Sequence, residues 1–196
     1  MVIKVHRLLP LLVVASLIAG CGPKNTGLTT RKPWDPDHAQ YFDDSVDFTM
    51  NPDSLSGQWM YSYKIELEGR VSLSDHIVAV RVVNVKHTED ADGRRSKDLL
   101  LSVEKDVKGV FPHDTFSLSV SETLPGYDSF SVDDPRLMDK VFLAFLRLYR
   151  DEDDEVGIHW HLSPLSEGLL EGIEAAQGDG RIEGEGDEYT LETEDS

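Results

Sequence analysis

The sequence predicts a mainly β protein, a small barrel or β-sandwich, with a polar tether before it and an acidic tail after it. Three observations predict this. Short runs of alternating or β-branched residues recur at intervals of about ten residues between Tyr61 and Leu162. Turn-forming residues separate them, including Asp92-Gly93 and Pro125-Gly126. The composition also changes at both flanks, becoming Pro-rich before Gly57 and strongly acidic after Ser166.

In chain order, the first strand signal is Tyr61-Ser-Tyr63-Lys-Ile65-Glu-Leu67, which alternates with period two. Ile77 to Val85 is β-branched and mostly apolar, as for a strand buried on both faces. A polar turn over His87 to Arg95 leads to a strand over Leu99 to Val103. Lys108 to Asp114 forms a connection, and Thr115 to Val120 alternates again. The stretch after Asp134-Pro135 is ambiguous, because Leu137, Val141, Phe145 and Leu148 would share one helical face. The run VFLAFLRLY over Val141 to Tyr149 is nevertheless rich in aromatic and aliphatic residues and is assigned as a central strand. The acidic loop Asp151 to Gly157 then turns the chain into a hairpin with Ile158 to Leu162. A short helix capped by Ser166 is expected over Gly168 to Ala176. The expected divisions are 1–20 as a leader, 21–57 as a tether, 58–166 as the β-rich domain and 167–196 as the tail.

The order Val71-Ser-Leu-Ser-Asp75-His-Ile77, Val107-Lys108-Gly109 and Phe142-Leu-Ala-Phe145-Leu146 resembles the netrin/TIMP-like (NTR) module. That resemblance spans about Glu68 to Leu162 and implies an OB-type barrel. The chain lacks the cysteines that fix the animal members, so their metalloprotease inhibition is not carried over and no residue inherits a role. In size and β content the body also resembles the small β-sandwich of outer-membrane secretion-system lipoproteins.

The N-terminus carries the most specific motif. Lys4, His6 and Arg7 precede an apolar run from Leu8 to Ile18, and Ala19-Gly20 place small residues before Cys21. The sequence Leu17-Ile18-Ala19-Gly20-Cys21 resembles the lipobox of bacterial lipoproteins. The resemblance implies cleavage before Cys21 and acylation of that residue. The run is too short to span a bilayer about 30 Å thick, and Pro10 interrupts it, which argues against an uncleaved anchor helix. Cys21 is the chain's single cysteine, so no internal disulfide can form. Lipidation accounts for that lone thiol. Gly22 follows it, and in Gram-negative lipoproteins the absence of Asp at that position implies sorting to the outer membrane. The residues from Gly22 to Gly57 hold Pro23, Pro33, Pro36 and Pro52 and read as a linker. Trp34, Tyr41, Phe42 and Phe48 make its second half suited to packing along the domain.

The net charge is −18, and residues 151–196 hold 16 acidic side chains against the single basic Arg181. The acidity therefore belongs to the C-terminal quarter. A body this acidic does not bind nucleic acid through its phosphates, which require clustered Lys and Arg. Beyond Gln177 the composition is acidic and Gly-rich, which favours disorder and leaves an arm for basic partners or divalent cations.

Candidate chemistry centres on His159 and His161. On a strand these two share a face, and with Asp151, Asp153 and Asp154 nearby they form a candidate zinc or copper site. The loop does not fit the helix-loop-helix calcium consensus, because Gly157 is seventh and Leu162 stands at position twelve. Ser102-Val-Glu-Lys105 has Ser-x-x-Lys spacing but lies in a strand without companion motifs. Ser74, Asp75 and His76 are adjacent in sequence, whereas a triad is assembled from separated positions. No phosphate-binding Gly loop, dinucleotide fingerprint or nucleophile elbow is present, so no cofactor and no catalytic residue are assigned. The sequence thus points to a lipid-anchored outer-membrane protein with a non-catalytic binding or assembly role among envelope proteins. The alternative is an extracytoplasmic metal-binding protein for Zn, Cu or Ca.

Overall fold

A computed structural model describes residues 28–30, 32–48, 54–138, 140–151 and 154–178. They form a mainly β body, a six-stranded sheet curled into a half-barrel with two helices packed on it. The strands are β1 (Ser45–Val46), β2 (His76–Glu89), β3 (Arg95–Lys108), β4 (Thr115–Ser121), β5 (Val141–Arg150) and β6 (Val156–Pro164). Helix α1 spans Gly57–Leu73 and α2 spans Glu167–Gly178. The sheet order is β1-β6-β5-β2-β3-β4. All pairings are antiparallel except that of β1 with β6.

The assignment of Val141–Tyr149 as a strand holds, and β5 lies within the sheet between β6 and β2. Its alternate side chains serve two cores. Phe142, Ala144, Leu146 and Leu148 join Val78, Val80, Leu101, Phe116, Trp160 and Leu162 in one cluster. Leu143 and Phe145 join Ile77 and Ala79 on the opposite face, beneath Tyr63 and Leu67 of α1 and Leu169 and Ile173 of α2. The β2–β3 hairpin is long, and its register shifts at three places along β2. Each irregularity bends and twists the pair, which lets a 14-residue strand follow the curl. Between Val82 and Asn84 the extra residue, Val83, faces solvent. The turn at Asp92-Gly93 closes as expected. Asp90 Oδ1 accepts from the amides of Asp92 and Arg94, and Gly93 adopts φ +78°.

One expectation is corrected. The alternating stretch Tyr61–Leu67 is helical, not a strand. Its buried residues are Tyr63, Leu67, Arg70 and Val71, a stripe with helical spacing. Tyr61 and Ile65, which alternation would have buried with them, are exposed. Pairs at i,i+4, Lys64–Glu68 and Glu66–Arg70, further support the helix. The second half of the stretch 21–57 packs along the body, as its aromatic residues suggested, with Phe42 and Val46 buried, and Leu28 is buried as well. At the other end α2 forms where a helix was expected, with Ser166 Oγ accepting from the Leu169 amide. It belongs to the body, because Leu169 and Ile173 are in the second core. The expected signal peptide, the lipobox with Cys21, and the tail beyond Gly178 lie outside the described residues.

Candidate functional site: a double Asp–His clasp on β6

The face of β6 that carries His159 and His161 looks toward the helix side of the sheet, opposite Trp160 and Leu162. The two histidines share a face as the sequence implied, but their partners come from far upstream. Asp44 Oδ2 lies 2.7 Å from His159 Nδ1, and Asp43 Oδ1 lies 2.9 Å from His161 Nδ1. Neither aspartate was singled out from sequence. More than a hundred residues separate each from its histidine, and no local pattern signals such a pairing.

The geometry follows from β1. Its two residues pair in parallel with the free edge of β6, Ser45 opposite His161 and Val46 opposite Leu162. The backbone ladder continues on either side, from Asp44 N to Trp160 O and from Asp47 N to Leu162 O, both 2.9 Å. Asp44 turns the chain onto this edge in the left-handed region at φ +52°, which Asp tolerates better than most residues. Its second carboxylate oxygen accepts the Trp160 amide at 2.9 Å. Asp44 therefore holds both a side chain and a backbone group of the same strand. From the other side, Gly126 presses on this turn. A Cβ at Gly126 would lie 2.1 Å from the Asp44 carbonyl oxygen, so only glycine fits there. Ser129 Oγ, which donates to the Gly126 carbonyl, also accepts the Val46 amide.

His159 sits in an aromatic cluster in which Trp34 and Tyr149 also touch each other, with their centroids 5.6 Å apart. Tyr149 stacks on His159 at 4.7 Å and 17°, and Trp34 lies at 4.0 Å. Gly157 makes room for Tyr149, because a Cβ there would lie 2.3 Å from that ring.

The electrostatics separate the two pairs. Burial pushes the Asp44 carboxyl up, against the pull of His159 and the Trp160 amide. Burial pushes Asp43 up as well, but the hydrogen bonds from His161 and Ser45 outweigh it and hold that carboxyl below its usual range. His161 is fully enclosed, and burial drives its pKa down; Asp43 opposes this shift and the cationic Arg70 adds to it. His161 is thus the neutral ring, with Nδ1–H donated to Asp43. Its Nε2 is buried and has no hydrogen-bond partner.

The acidic loop does not join this cluster. Asp151 closes the β5–β6 turn, its Oδ1 accepting from the Glu155 amide at 2.8 Å. Asp154, at φ +63°, pairs with Arg150 at 3.2 Å. Asp153 lies outside the described residues. Among the described residues, no three His, Cys, Asp or Glu side chains are grouped to hold a metal ion. Ser74, Asp75 and His76 serve separate partners. Ser74 Oγ donates to the Arg70 carbonyl, and Asp75 accepts from the Leu148 amide and pairs with Arg147 and Lys32.

The arrangement is a mechanical clasp. Two carboxylates on one chain segment lock two histidines on a strand, and the lock fastens residues 33–47 to the sheet edge. That also covers the outer edge of β6, which would otherwise present unpaired backbone groups. No protein-family model matches the chain, and no curated protein or solved structure matches it.

Proposed function

We propose that this is a lipid-anchored protein of the bacterial cell envelope, placed at the outer membrane, whose half-barrel body is a non-catalytic binding or assembly component. The observation that carries the reading is Cys21, the single cysteine of the chain, directly after the small residues of LIAG and an apolar run. Acylation gives such a cysteine a function and gives the body an address. Among the described residues no helix is long and apolar enough to cross a membrane. The clasp supports the non-catalytic part. The residues with the most chemical potential, His159, His161, Asp43 and Asp44, are committed to fastening one segment to the sheet. Metabolic labelling with palmitate tests the anchor, and label retained undiminished in Cys21→Ala overturns it. Pull-down from detergent-solubilised envelopes tests the assembly role. Stoichiometric partners are expected, and repeated recovery of the protein alone contradicts it.

One observation favours metal binding as a second reading. Both histidines present Nδ1 to a carboxylate, the orientation that second-shell acids give to metal-bound imidazoles, and His161 Nε2 is unpartnered. Arg70 beside it counts the other way. Calorimetry with zinc, copper and calcium on wild type and His161→Ala decides this reading, and titrations without heat end it.

A further inference from the structure

We infer that residues 181–183, just past the end of α2, dock back onto the body and seat Ile182 in an apolar cleft between α2 and the sheet. The cleft has a volume of about 280 Å³, more than the ~150 Å³ in which a cavity lined by aliphatic and aromatic side chains holds a benzene ring. Its floor is formed by Val107 of β3, Leu143 of β5, and Leu170 and Ile173 of α2. Leu165, directly after β6, completes the wall and stands 38% exposed. Apolar area left in water here is removed by a branched aliphatic side chain, and the gain scales with the area covered. The rim is charged, with Lys105 and Asp106 on β3 and Glu174 on α2. Lys105 and Glu174 enter no ion pair among the described residues.

The occupant follows from where the described chain stops and from charge. Gln177, in the last turn of α2, is itself part of the rim, and the described residues end one position later at Gly178. The chain therefore continues from the mouth of the cleft. Ile182 follows Gln177 by five residues, a span of up to roughly 17 Å. Gly178 and Gly180 permit the reversal that a return along the helix requires. Beyond Gly178 the large apolar residues are Ile182, Tyr189 and Leu191. Ile182 stands between Arg181 and Glu183, opposite charges that match the mixed rim. Docking sets Arg181 against Glu174 and Asp106, and Glu183 against Lys105. Tyr189 and Leu191 lie among Asp187, Glu188 and Glu192 with no cation beside them, so the two rim carboxylates repel that stretch. Docking also gives a role to Arg181, the single basic residue of the acidic C-terminal quarter.

The test uses the chain from residue 21, which retains every described residue, with Cys21→Ser and isotope-labelled methyl groups. Nuclear Overhauser contacts are expected between the Ile182 δ1 methyl and the methyls of Leu165, Leu170 or Val107. Ile182→Asp is expected to shift the Leu165 and Leu170 methyl resonances and to leave those of Leu67, on the other side of α2, and Leu118 unchanged. Arg181→Glu is expected to reduce the docked fraction several-fold, and added salt to reduce it in the wild type. Every variant compared lies beyond Gly178, so a lost contact does not report a lost fold. Absence of contacts from Ile182 to the cleft overturns the inference, as do cleft resonances that Ile182→Asp leaves in place. Contacts from Tyr189 or Leu191 in place of Ile182 overturn it as well. Contacts found only between differently labelled copies in a mixed sample would assign the cleft to a second copy of the chain instead.

Discussion

Replacing Asp44 by alanine tests the clasp at its most connected residue. The change removes the acceptor for the buried Trp160 amide at 2.9 Å and for His159 Nδ1 at 2.7 Å. A buried N–H left without a partner costs about 1–3 kcal/mol, and a hydrogen bond to a charged group contributes about 1.5–3 kcal/mol. Alanine is also strained at φ +52° by roughly 1 kcal/mol. Against these stands the relief of a carboxylate whose burial already opposes its ionisation. The net expectation is a loss of about 2–4 kcal/mol, read as a lower urea midpoint with an unchanged slope. Asp44→Asn keeps the acceptor for Trp160 and tolerates the backbone, so about 1 kcal/mol is expected. The double variant Asp44→Ala/His159→Ala should cost less than the sum of its parts, because the two residues share one interaction. A loss below about 0.5 kcal/mol for Asp44→Ala, or strict additivity in the cycle, refutes the clasp.

Three further predictions concern the same framework. Burial holds the His161 pKa below its usual 6.5, so below that pH the unfolded chain binds a proton the folded one does not. Stability is then full above about pH 6.5 and falls as the pH drops toward the folded value, by up to about 1.4 kcal/mol per unit. Urea midpoints across pH 5–8 should show this slope, and it should flatten in His161→Gln. Gly126→Ala should cost about 2–3 kcal/mol or more, because its Cβ meets backbone at Asp44, whereas Gly172→Ala meets only the flexible end of Leu67 and gains helix propensity, so it should be near neutral by thermal unfolding. Lys97 is buried and donates to the carbonyls of Tyr127 and Phe130, so Lys97→Ala should cost about 2–3 kcal/mol in urea unfolding; a midpoint unchanged from wild type would exclude this role.

How far the fold was legible depended on whether burial followed a local period. The strands β2, β4 and β5 were readable because β-branched and aromatic runs with clear turn chemistry determine them. The turn at Asp92-Gly93 and the cap of α2 at Ser166 were readable for the same reason. Helix α1 was misread because Tyr61, Tyr63, Ile65 and Leu67 alternate, while the true buried stripe includes Arg70, a residue no hydrophobic pattern counts. Arg70 is satisfied inside by the Tyr41 carbonyl and by Glu66. The site was half legible. His159 and His161 were picked out with the right shared face, but the acidic loop close in sequence was taken as their partner. The partners in space, Asp43 and Asp44, sit in a Pro-rich stretch that reads as linker, and only tertiary pairing of β1 with β6 brings them there. Trp34 and Phe42 were the visible clue that this stretch packs.

The central claim, a body held at a membrane by lipid on Cys21, is tested most directly by the intact mass of the protein purified from the membranes of its own cell. The account predicts a chain that begins at Cys21 and carries covalent acyl groups on that residue. A chain that retains residues 1–20, or one that begins at an unmodified Cys21, would contradict it.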